Sequence, residues 1–205
     1  MSDVIERNRI KNFPITLFAT AMGMTGLAIA LMRYDAVMKT NMVFGKYLLY
    51  FVTVWFCALA GIYLVKLIRY REVVKEEFFH PIKLNFFPTI AISVLLLSIG
   101  YESVSHEASK YLWYIGTLAQ VAFTFTIIDI WFFSNFKITA ANPAWFIPVV
   151  GNILVPISGV TYAGTEVGWF FFSIGIVLWI ALLSTIVYRM IFYEQLMAKF
   201  LPTLC

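Results

Sequence analysis

The sequence predicts an all-α protein that crosses a membrane several times, and three observations carry that prediction. Of 205 residues, 61% are hydrophobic and only 13% charged, too little charge to cover the surface of a soluble domain. The apolar residues fall into blocks of roughly 20, about the number a helix needs to cross a bilayer core. Tyr and Trp gather at the ends of those blocks (Tyr34, Tyr47, Tyr101, Tyr111, Trp113, Trp145, Trp169, Tyr193), as interfacial belts do.

In chain order, residues 1–11 form a polar tail with no resemblance to a cleaved signal peptide. Six spans follow, at Phe13–Met32, Tyr47–Val65, Leu84–Gly100, Tyr111–Phe133, Trp145–Ala163 and Val167–Tyr188. A helix satisfies all its own backbone polar groups and so suits each of them in lipid. Lys66 to Lys83 is the one sizeable polar segment, expected to prolong the second helix into water as far as Phe79, because His80 precedes a proline and is pushed out of helical geometry. His80 itself reads as a loop-capping or interfacial residue. Residues 12–193 thus make a transmembrane domain of three hairpins, and residues 194–205, ending Leu201-Pro202-Thr203-Leu204-Cys205, read as the start of a further span. Cys57 inside a span and Cys205 at the end offer no disulfide framework.

Orientation follows from Lys and Arg. With the N-terminus inside, the inner segments hold eleven (Arg7, Arg9, Lys11, Lys66, Arg69, Arg71, Lys75, Lys83, Lys137, Arg189, Lys199) and the outer ones four (Arg33, Lys39, Lys46, Lys110). Both ends of this chain are therefore expected in the cytoplasm of a cell-membrane protein. The net charge of +4 sits in short loops, which suits anionic lipid and not nucleic acid.

The hairpin is repeated. Even spans open alike, with Lys46-Tyr47-Leu48-Leu49-Tyr50 echoed by Lys110-Tyr111-Leu112-Trp113-Tyr114. Odd spans open on an aromatic and a proline: Phe13-Pro14, Phe87-Pro88, then Trp145-Phe146-Ile147-Pro148. Odd spans also carry stripes of small and weakly polar residues at helical spacing. These are Thr16, Thr20, Gly23 and Ala30 on the first, Thr89, Ser93 and Gly100 on the third, and Pro148, Asn152, Pro156, Gly159 and Ala163 on the fifth. One such stripe is as well explained by close helix packing. Three on alternate helices favour an inner ring around a central pore, lined by Thr16, Thr20, Gly23, Thr89, Ser93, Asn152 and Gly159. Pro14, Pro88, Pro148 and Pro156 are expected to kink those helices.

No Lys or Arg falls inside a span, and Asp129 is the one acid well inside, read as a structural hydrogen-bonding group. Cation channels and proton-coupled carriers usually show a ring or relay of acids, so the weakly polar lining suits the passage of small anions. There is no His/Cys metal spacing, no Gly-rich phosphate loop and no pair of intramembrane His for haem. The reading is a protein that is not an enzyme and needs no cofactor or metal.

Phe13-Pro14, Phe18, Met22-Gly23 and Gly26-Leu27 resemble the first helix of the tellurite-resistance/dicarboxylate transporter family, which includes the guard-cell slow-type anion channels. The likeness continues through His80-Pro81-Ile82-Lys83 into Phe86-Phe87-Pro88. It is most specific at Asn142-Pro143-Ala144-Trp145-Phe146-Ile147-Pro148-Val149-Val150-Gly151-Asn152, followed by Pro156 and Gly159. The resemblance implies about ten helices in five hairpins, odd helices lining the pore, a homotrimer with one pore per subunit, and small inorganic or organic anions as partners beside the bilayer. It also implies an aromatic pore gate on a later inner helix, beyond residue 205. This chain then reads as the N-terminal six helices of such a fold, not expected to conduct alone. A secondary transporter of dicarboxylate, sulfite or tellurite-type oxyanions is the alternative, with Asn152 as a mid-membrane contact, and a non-conducting accessory protein is a third.

Overall fold

A computed structural model describes residues 9–40, 43–134 and 136–193. Residues 1–8 of the expected tail and the expected further span at 194–205 lie outside the described residues. The chain is helical: α1 Phe18–Met38, α2 Phe44–Arg69, α3 Arg71–Phe78, α4 Pro88–Tyr101, α5 His106–Phe133, α6 Ile147–Ala163 and α7 Thr165–Phe192. Together with short 3-10 turns at their starts, six of these are long and apolar enough to cross a membrane. The short amphipathic α3 is the exception; it buries Val74 and Glu77 and exposes Arg71, Glu72, Lys75 and Glu76.

The hairpin repeat is visible in how the inner helices begin. Each of α1, α4 and α6 is entered through a 3-10 turn, at Ile15–Leu17, Lys83–Phe86 and Pro143–Phe146. These turns lie side by side at one end of the bundle, here called basal; the opposite end is apical. Pro14 precedes the first turn, and Pro88 and Pro148 stand in the first turns of α4 and α6. No intrahelical hydrogen bond exists at those positions for proline to break. Three of the four expected kink prolines are thus helix starters, and Pro156 alone lies inside a helix. Asn142 starts the α6 turn, accepting a hydrogen bond from the Ala144 amide at 3.0 Å and donating to the Ala140 carbonyl at 3.0 Å. Between α6 and α7 the chain reverses at Gly164, whose φ of +83° suits a residue without Cβ.

The helices pack as an inner row flanked by outer helices. Helix α4 lies between α1 and α6, while α2, α5 and α7 lie against their hairpin partners. Within its most apolar stretch α4 is 78% buried, against 22% for α2 and α7. The outer helices present large apolar side chains outward, among them Phe51, Val54, Leu118, Phe125, Val177 and Ile180. Such faces match lipid tails and need no protein cover.

Two expectations are corrected here. Helix α2 does not continue to Phe79: it ends at Tyr70, whose φ of −131° and ψ of 50° turn α3 back against the bundle. Trp113 and Trp145, grouped by sequence with the interfacial belt, are buried at 3% and 9% exposure. The Trp113 indole N–H is held by the Val155 carbonyl at 2.8 Å, a partner that lets the large ring leave the interface.

Candidate functional site

The stripes of the inner row fall into two groups. On α1 and the turn that enters it, Thr16, Thr20, Gly23 and Ala30 are all exposed, and a Cβ added at Gly23 would meet nothing within 4 Å. Thr20 returns its hydroxyl to the Leu17 carbonyl at 2.6 Å and accepts the Trp55 indole N–H at 3.1 Å. This face is open, weakly polar and without a charged side chain between Phe13 and Met32.

On α4 and α6 the stripes are packed into helix joints. Thr89 and Ser93 are fully buried and bond to backbone one turn earlier, Ser93 to the Thr89 carbonyl at 2.7 Å; Ser93 also reaches the Phe18 carbonyl of α1 at 3.4 Å. Gly100 seats Leu49 of α2, and a Cβ added there would come within 2.6 Å of that side chain. Gly159 lies under the Trp113 ring, where a Cβ would come within 2.8 Å. Asn152 is 2% exposed; its amide donates to Thr124 Oγ1 at 3.0 Å and to the carbonyls of Val149 at 3.2 Å and Pro148 at 3.3 Å. Gln120 and Thr124 of α5 both donate to that same Pro148 carbonyl, at 2.7 and 3.1 Å. Gly151 provides the space, since a Cβ there would sit 2.4 Å from the Gln120 amide.

Nearer the apical end a second polar joint ties α4, α5 and α6. Ser98 and Ser109 exchange hydrogen bonds with each other's carbonyls at 2.8 and 2.7 Å, Ser158 lies 3.3 Å from Ser98, and the Tyr162 hydroxyl donates to Ser109 at 2.8 Å. Between α1 and α4, at the same end, is a cavity of about 210 Å³ walled by Ile29, Met32 and Ile99 and rimmed by Arg33 and Glu102. The two charged groups approach to 4.0 Å. That exposed pair contributes little stability but brings a guanidinium to the cavity's edge.

The basal end holds residues that the spacing of the spans does not reveal. Lys66 and Arg189 each follow a sequence-read span by one residue, yet Lys66 is fully buried and Arg189 is 6% exposed. The spans are longer than read, reaching Arg69 and Phe192, and the basal segments fold over their ends. Lys66 donates to Glu77 at 2.7 Å and to the Phe13 carbonyl at 2.8 Å; Glu77 also accepts from the Tyr63 hydroxyl at 3.2 Å and Lys83 at 3.3 Å. This clamp joins the approach to α1, the end of α2, α3 and the turn before α4. A signal is present in Glu77 lying eleven residues after Lys66, but only the turn at Tyr70 brings the pair together.

Asp129 is exposed on α5, and none of the hydrogen bonds or ion pairs found among the described residues involves it, contrary to the structural role expected of it. Its helix buries Ile127 and Ile130 instead. His80 caps its loop as expected, its Nδ1 accepting from the Ile82 amide at 3.2 Å. Among the described residues no group of His, Cys, Asp and Glu could hold a metal.

Known proteins are similar to this sequence. An S-type anion channel of Arabidopsis thaliana, SLAH3, is 28% identical over 186 residues, covering 87% of this chain and 29% of its own length. An uncharacterized transporter of Methanocaldococcus jannaschii is 28% identical over 208 residues, 95% of this chain and 60% of its own. A homolog of the tellurite resistance protein TehA from Haemophilus influenzae is 25% identical over 178 residues, covering 84% of this chain and 54% of its own. The chain therefore spans 60% or less of the length of these relatives. Residues 12–205 match the family described as voltage-dependent anion channel. With its inner row of helices and a match across nearly all of its residues, the chain belongs to the SLAC1 family of voltage-dependent anion channels.

Proposed function

We propose that this chain contributes three hairpins to a pathway by which small anions cross the cell membrane passively, along the weakly polar faces of α1, α4 and α6. The observation that carries the reading is the inner row: alternate helices stand side by side, screened by outer helices whose large apolar side chains suit lipid. An anion in such a conduit is eased by hydroxyls and backbone dipoles without being held by a fixed cation, as conduction requires. Thr16, Thr20 and Gly23 contribute the open part of the lining. Thr89, Ser93, Asn152 and Gly159, buried in the joints of α4 and α6, line it from behind by keeping the row in register. The Arg33 rim of the apical cavity is a place for anions to gather before entering. The assembly is a homotrimer with both ends of this chain in the cytoplasm.

Anion flux from liposomes tests this. Bulky substitutions at Thr20, Ser93 and Asn152 should change rate or anion preference in a longer version of the protein. Substitutions at Phe123 and Phe171, which pack between helices, should not. Equal effects at all five positions would reduce the stripes to packing. The 205-residue chain alone should show no flux, and robust anion-selective currents from it would overturn that part.

A carrier of dicarboxylate, sulfite or tellurite-type oxyanions is the second reading, favoured by Pro156, which lies inside α6. Proline has no N–H to offer the Asn152 carbonyl one turn earlier, so that carbonyl is free for a transported species or its co-ion. Flux that saturates with anion concentration would select the carrier; flux that rises linearly would select the channel.

A further inference from the structure

The basal ends of α5 and α7 and the turn before α6 hold three buried donor atoms with no partner among the described residues. Trp131 and Trp145 stack with ring centroids 4.8 Å apart and planes 11° from parallel. Trp145 belongs to a packed group with Ala141 and Ile186, against which Trp131, Phe136 and Leu182 also lie. One turn beyond Ile186, Arg189 turns its guanidinium inward and donates to the Thr139 carbonyl at 3.2 Å, two residues from Ala141. The indole N–H of Trp131, that of Trp145 and the Nε of Arg189 are all buried, and none has a partner among the described residues. The ion pairs among those residues are Arg33–Glu102, Lys66–Glu77 and Lys83–Glu77, so none of the described carboxylates pairs with Arg189.

A buried guanidinium with no counter-charge is strongly unfavourable, and each orphaned N–H forfeits a hydrogen bond besides. All three groups are donors, so what completes them is an acceptor. A water can take one or two of these bonds but leaves the charge unmatched. An oxyanion does both, and the planar guanidinium fork suits phosphate geometry. Arg189 lies in the last turn of a membrane-length helix, the depth at which headgroups sit. At the same basal ends of α5 and α7, Phe132, Phe133 and Phe192 are 82%, 84% and 67% exposed, apolar side chains on which acyl chains can lie.

We propose that Trp131, Trp145 and Arg189 form a binding site for a phosphate-class oxyanion, occupied by the phosphodiester of a membrane lipid. The half-buried Phe136 and Leu182 cover the cluster, and a rotamer change in either opens the donors. The site lies on α5 and α7, away from the open face of α1, and its existence does not depend on the anion-pathway reading. Free phosphate offers the same oxygens without the tails.

The test uses the full chain in nanodiscs of digalactosyl diacylglycerol, a neutral lipid without phosphate. Phosphatidylglycerol is added to one set and inorganic phosphate to another, with melting temperature and lipid retained in native mass spectrometry as readouts. Phosphatidylglycerol should raise the melting temperature by about 2–4 °C. Its retention should fall about tenfold in Arg189→Gln, the scale of one lost charge-assisted contact. The pair Trp131→Phe with Trp145→Phe keeps the stacked rings and the charge, and should lose most of the response without loss of fold. Inorganic phosphate giving the same shift, abolished by the same substitutions, supports the oxyanion site and assigns it to a soluble ligand. Wild-type protein indifferent to both, or variants that respond as wild type does, would overturn the proposal.

Discussion

Helix α4 has two flanks, and they are built differently. On the side of the first hairpin the packing is apolar and aromatic: Phe18 of α1 meets Phe56 and Tyr63 of α2 edge to face at 5.8 and 5.9 Å, and Tyr63 meets Phe87, at the start of α4, at 6.2 Å. The Ser93 bond across this seam is long, at 3.4 Å. On the α5–α6 side the contacts are hydrogen bonds, in the serine cluster around Ser98 and in the Gln120–Thr124–Asn152 group on the Pro148 carbonyl. In lipid there is no hydrophobic force between helices, so packing and hydrogen bonds must hold them. Hydrogen bonds fix register because they are directional, whereas edge-to-face rings tolerate small slides. The second and third hairpins therefore form a rigid block, and the first is joined to it by a seam that can shift. The cavity between α1 and α4 lies on that seam.

What keeps the looser hairpin in place is the basal clamp, and breaking it should have the largest effect. Lys66→Met leaves Glu77 buried with Lys83 and Tyr63 but removes its closest partner, at 2.7 Å. Removing one member of a buried pair costs about 3–5 kcal/mol; the remaining Lys83 contact puts this case at the low end. Thermal unfolding in detergent should show a drop of roughly 2–4 °C for each kcal/mol. Adding Glu77→Leu should recover most of it, since the stranded carboxylate goes too. A Lys66→Met protein that melts with wild type would show that the clamp does not hold α1.

Next in size is Gly151→Ala. The new methyl would meet the Gln120 amide at 2.4 Å, and the amide can give way only by releasing the Pro148 carbonyl. A lost hydrogen bond with a buried donor left behind costs about 1–3 kcal/mol. Loss of stability here, with little change for Ser93→Ala on the α1 side, would sharpen the contrast between the flanks. Equal losses would erase it. Ser98→Ala should cost less, about 0.6 kcal/mol, the average for interhelical hydrogen bonds in membranes, and no more than about 1.7 kcal/mol. Ser109 keeps the Tyr162 hydroxyl as a partner.

The rigid block is less legible in the sequence than the spans are. Hydropathy and aromatic–proline pairs identify six crossings and the repeated hairpin, because lipid imposes composition directly on each helix. The stripe of α6 is legible as a stripe, but its partner is not. Whether Asn152 faces a lumen or Thr124 depends on how α5 is rotated, and α5 shows only a weak periodic signal around Gln120. Lys66 and Arg189 escape notice because span boundaries place them one residue into water. Burial at a helix end is decided by the loop that folds over it, such as α3 over Lys66, and hydropathy carries no record of that fold.

The smallest stability effect belongs to α1, and it tests the pathway most directly. A Cβ added at Gly23 or Gly26 would meet nothing within 4 Å, so alanine fits at either position without displacing a neighbour. Alanine also favours the helix over glycine by up to about 1 kcal/mol. Gly23→Ala should therefore leave the melting temperature unchanged or raise it slightly, the opposite sign to Gly151→Ala. If the face carrying Thr16, Thr20 and Gly23 lines an anion pathway, a larger side chain there obstructs ions without disturbing the fold. Gly23→Phe should keep wild-type stability and cut anion flux several-fold in a longer version of the protein, while Gly23→Ala should alter it little. If Gly23→Phe conducts as wild type does, the open face of α1 is turned to lipid or to another helix, and the pathway lies elsewhere along the row. If it loses both stability and flux, the face is a packing surface, and its stripe has the same meaning as those on α4 and α6.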